Sequence, residues 1–469
     1  MPEPLDAFFL PPSLLGKVKD FSLTEFDSLA IRTPAVTPAL VDRVADHLLH
    51  ARDDYLAEKP VLEIVNAIDR AIGMWLDAAS PYRQLASQAL PLITRYSPEM
   101  IRTALPEVLS PFRKEGLLEL LRLELGDPLY LDCFRPRGTG SGMARAYGPA
   151  MITHVFSGNI PGLPVASLIY GLLAKAANLG KSTLREPLMP ALFARSLQEI
   201  DPRLADCIAV LPWKGGDVEI EREAFSRSQA VIAYGSQDSL REIWRRLPPG
   251  IRFLGYGTRL SFGVIAREAL SENRSADLAA RAARDVALFD QQGCLSPHLF
   301  YVENGGDTVP RAFAELLSLE LGKLEQKLPR GRLSAEEAIA IQGLRGSYQF
   351  QELAGKDVSL YQSRGNTAWT VIYEESPDFV PSCLNRVVRV KPLVDLSQLP
   401  LLLKPVQEYL QTVAVEAGPH RLLSVAETLG RLDVSRICRI GEMQHPPASW
   451  HHDGLPNISH LLRWVDMEP

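Results

Sequence analysis

Cys294 is the side chain with the most chemistry to offer. It lies in Gln292-Gly293-Cys294-Leu295-Ser296-Pro297-His298, which places a thiol on a loop between a helix, Ser275 to Leu288, and a strand, His298 to Val302. A thiolate is the best side-chain nucleophile for taking up an acyl group, and such a loop can aim backbone N–H groups at the oxyanion that attack creates. The remaining cysteines, Cys133, Cys207, Cys383 and Cys438, sit in strand-like or arginine-rich text and read as structural thiols. Five cysteines, scattered and never in a C-x-x-C pair, form neither a disulfide framework nor a zinc knuckle. A lone cysteine is most often buried without chemistry, so Cys294 needs partners.

Partners are to be sought just after strands. His154-Val155-Phe156-Ser157-Gly158-Asn159-Ile160-Pro161 ends one strand and opens a helix: Gly158 permits a tight turn, and the Asn159 amide is placed where it can face a ligand. Alone, this segment reads as a plain turn in which Asn159 caps the helix. Leu179-Gly180-Lys181-Ser182-Thr183 imitates a phosphate-binding loop, but the template requires glycine where Lys175 stands, and a helix precedes it where a strand is needed. That excludes triphosphate hydrolysis and leaves Lys181 as an ammonium at a strand mouth, able to meet a ribose hydroxyl or a phosphate. Gly235 and Ser236 open a helix directly after a buried strand, which lets a pyrophosphate approach free N–H groups, and Gly215 lies in a similar turn, Trp213-Lys214-Gly215-Gly216-Asp217. The G-x-G-x-x-G fingerprint is missing. His445 and Trp450-His451-His452-Asp453 invite a metal, yet adjacent histidines point apart on regular structure and match no zinc spacing. No metal is expected; His298, His451 and His452 read as pocket lining or proton donors.

The elements that must position these residues alternate. Helical spacing covers 37 to 127, and a glycine-rich hairpin covers 128 to 148. Strand-like runs at 149–156, 182–185, 207–212, 229–234 and 260–266 then alternate with helices, which predicts a parallel sheet with ligands beyond its carboxyl ends. A second α/β stretch runs from 275 to 440, and the last segment ends in a short helix. With 469 residues, 46% of them apolar and 23% charged, the chain can bury the cores of two principal domains. The charge of -6 with no basic block argues against a nucleic-acid or anionic-lipid partner. The apolar stretch Pro161 to Leu179 is interrupted by Pro164 and Lys175, so no membrane span is predicted, and the acidic N-terminal flank suggests no export. A cytoplasmic protein with reduced thiols is expected.

Six ordered strings resemble the LuxC family of long-chain fatty acyl-CoA reductases, the reductase component of the bacterial bioluminescence fatty acid reductase complex: HVFSGNIP (154–161), WKGGD (213–217), VIAYGS (231–236), GYGTRLSFGVI (255–265), DQQGCLSPH (290–298) and WHHDGLPN with LLRWVD (450–466). The resemblance implies the α/β fold of the aldehyde dehydrogenase superfamily: an N-terminal helical part of the cofactor domain at 1–127, a bridging oligomerisation hairpin at 128–148, a Rossmann-type cofactor domain at 149–270, a catalytic domain at 271–440, and a C-terminal segment at 441–469 that packs back on the oligomerisation region.

It further implies Cys294 as nucleophile, the Asn159 amide at the oxyanion, and cofactor contacts from Ser157, Gly158, Lys181, Gly215, Gly235 and Ser236. Where hydrolytic relatives carry a glutamate base in an E-L-G-G-K motif, this chain has Gly255-Tyr256-Gly257-Thr258-Arg259, which would spare a Cys294 thioester from water. The expected activity is reduction of an acyl-CoA or other activated acyl donor to an aldehyde by NADPH, with NADH as the alternative. Rival readings are a CoA-acylating dehydrogenase of short aldehydes and an acyl-carrying reductase subunit of a larger complex. A homo-oligomer, dimer or tetramer, is expected, with acyl-activating subunits as further partners.

Overall fold

A computed structural model describes residues 3–138 and 142–468. The tip of the 128–148 hairpin, Thr139 to Ser141, lies outside the described residues. Four sheets organise the described residues. The first has β1 (Leu5–Asp6), β2 (Phe21–Phe26) and β3 (Leu29–Pro34); β4 (Arg135–Pro136) and β5 (Met143–Tyr147) belong to another. Next come β6 (Met151–Val155), β7 (Ala177–Ser182), β8 (Ile208–Pro212), β9 (Ala230–Tyr234) and β10 (Arg252–Tyr256), which form one parallel sheet in the order β10-β9-β6-β7-β8.

Strands β6 to β9 are buried along their whole length, as parallel strands covered on both faces must be. Alternate residues serve opposite faces. Met151, Leu179, Leu211 and Val231 pack with Val41 and Val44 of the helix Pro38–Ala51, while Ile152, Ile208, Val210 and Ile232 pack with the helices Val61–Leu76, Leu163–Leu173 and Leu188–Ile200. The turns that leave β6, β7, β8 and β9 therefore open together at one end.

The largest sheet comprises β11 (Leu260–Ile265), β12 (Pro297–Glu303), β13 (Val358–Gln362), β14 (Thr370–Glu374), β15 (Val387–Leu393), β16 (Leu410–Glu416) and β17 (Arg436–Cys438), in the order β13-β14-β15-β12-β11-β16-β17. Only the edge strand β13 runs antiparallel among these described strands. Strand β18 (Arg463–Met467) returns to pair antiparallel with β5, whose other edge holds β4. The C-terminus thus closes on the hairpin.

Several expectations are corrected. Residues 21–34 form a hairpin, so 1–127 is not helical throughout. The alternation in Phe21-Ser22-Leu23-Thr24-Glu25-Phe26 is its signal. Strand β7 starts at Ala177, five residues before the predicted strand, because Lys175 stops the preceding helix in a left-handed conformation, φ 57°, held by its 2.7 Å pair with Asp132. The unread strand β10 borders the cofactor-type sheet, whereas β11 pairs with β12 and β16 and so opens the second sheet instead of ending the first. The last segment finishes as β18, not as a helix.

Candidate active site

The chain reaches Cys294 through an abrupt turn. After the helix Glu272–Ala287, Phe289, Asp290 and Gln291 take φ values of 52°, 50° and 61°. Consecutive side-chain-bearing residues in the left-handed region are strained, so their surroundings must hold them. A second turn of the same kind, Leu384, Asn385 and Arg386 at 65°, 57° and 63°, does so. The Asn385 N–H donates to the Asp290 carbonyl at 3.0 Å, and Gln292 Nε2 donates to Asn385 Oδ1 at 3.1 Å. Beyond the turn, Ser261 Oγ donates to the Cys294 carbonyl at 2.6 Å and accepts the Thr412 N–H at 3.2 Å, which ties the cysteine loop to β11 and β16.

Half-buried Cys294 borders an apolar cavity of about 100 Å³ together with Val108, Phe112, Ile160, Leu163, Ala166, Tyr170, Tyr234 and Trp450. Burial pushes its thiol up to about 11; Asp453 adds to the shift, while a hydrogen bond from Gln411, the residue's own N–H and Arg259 oppose it. At neutral pH the sulfur carries its proton, and the thiolate, once formed, is strongly nucleophilic. Glu107 also borders the cavity, but its carboxylate is taken up by Arg284 and by His445 Nε2 at 2.8 Å.

On the other side of the loop lies a cleft of about 860 Å³, bordered by Gly158, Asn159, Arg185, Asp290, Gln292, Arg332 and Glu337. Neighbouring residues face different compartments: Asn159 and Gln292 border the cleft, whereas Ile160, Gly293 and Cys294 border the cavity. The turn after β6 and the Cys294 loop are therefore one shared wall. Its seam is a hydrogen bond of 2.9 Å from Asn159 Nδ2 to the Gln292 carbonyl; Ser157 Oγ donates to Asn159 Oδ1 at 2.7 Å, and the Tyr96 hydroxyl to the Asn159 carbonyl at 2.6 Å.

At the ends of β6 and β7 the residues fit a nucleotide. The ammonium of buried Lys181 makes no hydrogen bond or ion pair among the described residues and lies 5.9 Å from the Trp213 ring centroid; burial lowers its pKa, and Glu221 opposes that. Its Nζ faces the open turn at Gly215, where an added Cβ would stand 3.9 Å away. Gly158 is required, because a Cβ there would fall 2.5 Å from Thr183 Oγ1. Sequence reasoning missed Glu186, buried beside this turn. Its Oε1 accepts the N–H groups of Leu188 and Met189 at 2.9 and 2.7 Å, its Oε2 has no partner, and burial lifts it to about 7. An acidic residue at the start of a helix that follows a strand was the available signal. An unpaired ammonium, an open carboxyl oxygen and a bare turn suit the phosphates and ribose of a dinucleotide. Gly235 and Ser236 are committed within their own turn: the Gly235 N–H donates to the Tyr256 carbonyl at 3.1 Å, and Ser236 Oγ caps its helix through the Ser239 N–H at 3.2 Å.

The histidines separate. His452 borders the cavity, stacked between Tyr256 and Trp450 with centroids 4.1 and 4.7 Å away, and burial drives it down to about 4, so it is neutral at pH 7. His298, also driven down to about 4 by burial, accepts the Ser382 N–H at 3.1 Å and borders neither cavity nor cleft. His451 is exposed and likewise borders neither. Among the described residues, no three His, Cys, Asp or Glu side chains gather as a metal site, and no helix is long and apolar enough to cross a membrane.

A parallel cofactor-type sheet, a second sheet that carries a cysteine loop and a hairpin closed by the C-terminal strand together define the aldehyde dehydrogenase fold. The structure is similar over 99% of this chain and 98% of the other to aldehyde dehydrogenase 21 from Physcomitrella patens, solved with the reaction product succinate, at 13% identity and a TM-score of 0.74. It is likewise similar to a Mycobacterium tuberculosis aldehyde dehydrogenase complexed with NAD+, over 100% and 99% of the two chains, at 14% identity and a TM-score of 0.71. Within that fold, residues 56–464 match the acyl-CoA reductase (LuxC) family, and the chain belongs to it, as the six motifs suggested. Its relatives include the long-chain acyl-protein thioester reductases of Aliivibrio fischeri, 24% identical over 87% of this chain and 82% of the relative, and of Photobacterium phosphoreum, 22% identical over 98% and 91%.

Proposed function

We propose that the protein reduces a long-chain acyl thioester to an aldehyde, holding the acyl group on Cys294. The observation that carries this reading is the shared wall: the sulfur stands at an apolar cavity, while Asn159 and Gln292 beside it border a cleft that reaches Gly158 and Arg185, next to the ends of β6 and β7. Each methylene buried in such a cavity contributes about 0.8 kcal/mol, so the first carbons of an acyl chain bind there on their hydrocarbon and bring the thioester carbonyl to the sulfur, while the long chain is taken from the relatives' names. Sγ then bonds to the acyl carbon, and the donor's thiol leaves with the proton that Cys294 gives up. The acyl donor is a protein-bound thioester, as the relatives' names suggest, or acyl-CoA.

NADPH, or NADH, supplies a hydride to the thioester carbonyl when bound. Lys181, Glu186 and the turns at Gly158 and Gly215 would hold its ribose and phosphates, with Ser157, Gly235 and Ser236 shaping the same rim. The Cys294 N–H and the Asn159 amide, once the amide leaves the Gln292 carbonyl, are the donors for the oxyanion. No glutamate stands in Gly255–Arg259 to activate water, and Glu107 is occupied by Arg284 and His445, so the thioester persists until it is reduced. The sheet of β4, β5 and β18 is the proposed oligomer contact, and an acyl-donating protein is the proposed further partner of this cytoplasmic enzyme.

The test is intact mass after incubation with tetradecanoyl-CoA, or an acylated donor protein, without reductant. One acyl group should appear, map to the Cys294 peptide and vanish when NADPH or NADH is added. An adduct that forms as readily on Cys294→Ala, or no adduct from either donor, would refute the reading.

A further inference from the structure

The helix Ala335–Leu353 packs one face on the chain and leaves the other bare. On its buried side Ile341 and Tyr348 join Val358 of β13, Ile372 of β14 and Val387 of β15. On the opposite side Ile339, Gly343, Gly346, Phe350 and Leu353 follow one another at alternating steps of four and three residues, the period of a helix-pairing seam. Ile339 is 71%, Phe350 73% and Leu353 88% exposed. Between Glu336 and Lys356 the exposed residues carry a single charge, on Glu352, whereas a helix face that meets water is normally polar and charged. The glycines add to this. Glycine weakens a helix interior relative to alanine, yet a Cβ added at Gly343 or Gly346 would meet nothing within 4 Å, so packing within the chain requires neither. The missing side chains leave room for another backbone.

The occupant that fits is a second copy of this chain. Ile339, Gly343, Gly346 and Phe350 run bulky, bare, bare, bulky, so reversing the helix superposes bulky on bulky and bare on bare. Laid antiparallel across a two-fold axis near the glycines, each Ile339 meets the partner subunit's Phe350, and the bare centre lets the helices touch. Exposed Glu336 and Lys356 flank the seam at its two ends: opposite charges approach each other in the antiparallel pair, like charges in a parallel one. A different protein would not require the face to match itself. We propose that the helix Ala335–Leu353 is a two-fold self-association surface, packed antiparallel on the same helix of a second chain through Ile339, Gly343, Gly346, Phe350 and Leu353. This contact is separate from the one proposed at β4, β5 and β18, and it does not rest on the acyl-transfer reading.

The experiment is sedimentation velocity of the full chain at about 50 µM, above the dissociation constant expected of a contact at the small end of stable interfaces. Phe350→Glu puts a charge into the seam and should halve the mass found for the parent, with an unchanged circular dichroism spectrum as the check on folding. Gly343→Ala combined with Gly346→Ala separates this contact from a role inside the chain: the added methyl groups should raise the melting temperature of the dilute protein, yet weaken association about tenfold or more by holding the helices apart. Gly346→Cys should join chains under mild oxidation through a disulfide between the two copies of position 346, identified by peptide mapping, and adding Phe350→Glu should slow that joining about tenfold. Equal masses for the parent and Phe350→Glu overturn the proposal, which is also the result expected if the face receives a different protein. Association unchanged by the two alanines overturns the close packing, and absence of the 346-to-346 disulfide overturns the antiparallel two-fold arrangement.

Discussion

Asp290 and Arg386, each in left-handed backbone on a separate turn, join those turns through a buried ion pair of 2.8 Å. Arg386 is 1% exposed and also donates to Glu325 Oε2 at 2.7 Å and to the Leu328 carbonyl at 2.8 Å; Asp290 Oδ2 accepts the Gly331 N–H at 3.0 Å. Burial raises the pKa of Asp290, and Arg386 opposes it. Six residues that would each prefer another conformation are thereby held, and Cys294 follows four positions after Asp290.

Removing one charge from that pair should damage both stability and chemistry. Asp290→Asn leaves the Arg386 guanidinium buried with a single carboxylate, a loss of about 3–5 kcal/mol. Urea denaturation reads the stability. Acyl transfer to Cys294, measured at a urea concentration where the variant is still folded, should also be slower, because the turn that aims the loop has lost its clamp. An unchanged transfer rate would show that the turn is scaffold only.

Lys181 is the test of the nucleotide site. Its ammonium has the Trp213 ring 5.9 Å away but no hydrogen-bond or ion-pair partner among the described residues, so if it meets the cofactor Lys181→Met should raise KM for the nicotinamide cofactor about tenfold or more, with kcat changed far less. Thioester formation on Cys294 should be untouched. A lowered kcat at unchanged KM would remove Lys181 from the cofactor site.

How much could be read beforehand follows from which physical signals were local. Buried apolar runs such as Val231-Ile232-Ala233 and glycine at a turn, as at Gly158, are written in the residues themselves, and they located the first sheet and the turn beside Cys294. The left-handed turns at 289–291 and 384–386 contain no glycine or proline, since long-range pairing holds them, so neither was visible. Arg259 owes its place to Asp453 and Glu408, 194 and 149 residues distant, whereas Glu186 is held by neighbours two and three positions on, and Asn159 could be seen at a strand end but not in its bond to Gln292. The second sheet's opening at β11 was misassigned because β10 and β11 are separated by only three residues; their pairing partners, not their text, distinguish them.

The cavity predicts a dependence on chain length. Ala166 borders it beside Leu163 and Tyr170 and is 7% exposed. Ala166→Phe fills space that a long acyl chain needs, at a packing cost of about 1–3 kcal/mol. The kcat/KM for tetradecanoyl donors should fall at least tenfold, while that for butanoyl donors stays within about threefold. An equal fall at both lengths would place the acyl chain elsewhere.

Asp285 ties the C-terminal segment to the helix that precedes the nucleophile, and that tie should weaken as pH rises. Fully buried, it accepts the N–H groups of Gly441 at 2.6 Å and Met443 at 3.0 Å, just before Gln444 and Trp450 reach the cavity. Burial lifts it to about 7, against the two N–H donors, His445 and Arg436. An unfolded aspartate titrates near 3.9, so the folded state holds the extra proton; the resulting stability is complete below about pH 4 and lost as pH climbs through 7. His154, His298 and His452, driven down to about 4, work in the opposite sense: an unfolded histidine is still half protonated near pH 6.5, so each adds about 0.4 kcal/mol of stability between pH 6.5 and 8. Between pH 6.5 and 8, linkage gives Asp285 a loss of about 0.8 kcal/mol, and Glu186, raised likewise to about 7, adds a loss of the same sign. The two opposed sets nearly cancel in the parent, so the test is the difference: in urea denaturation Asp285→Asn should gain about 0.8 kcal/mol on the parent between pH 6.5 and 8. A variant as pH-sensitive as the parent would mean that Asp285 is ionised throughout, and that the segment over the cavity is held by a charge instead of a proton.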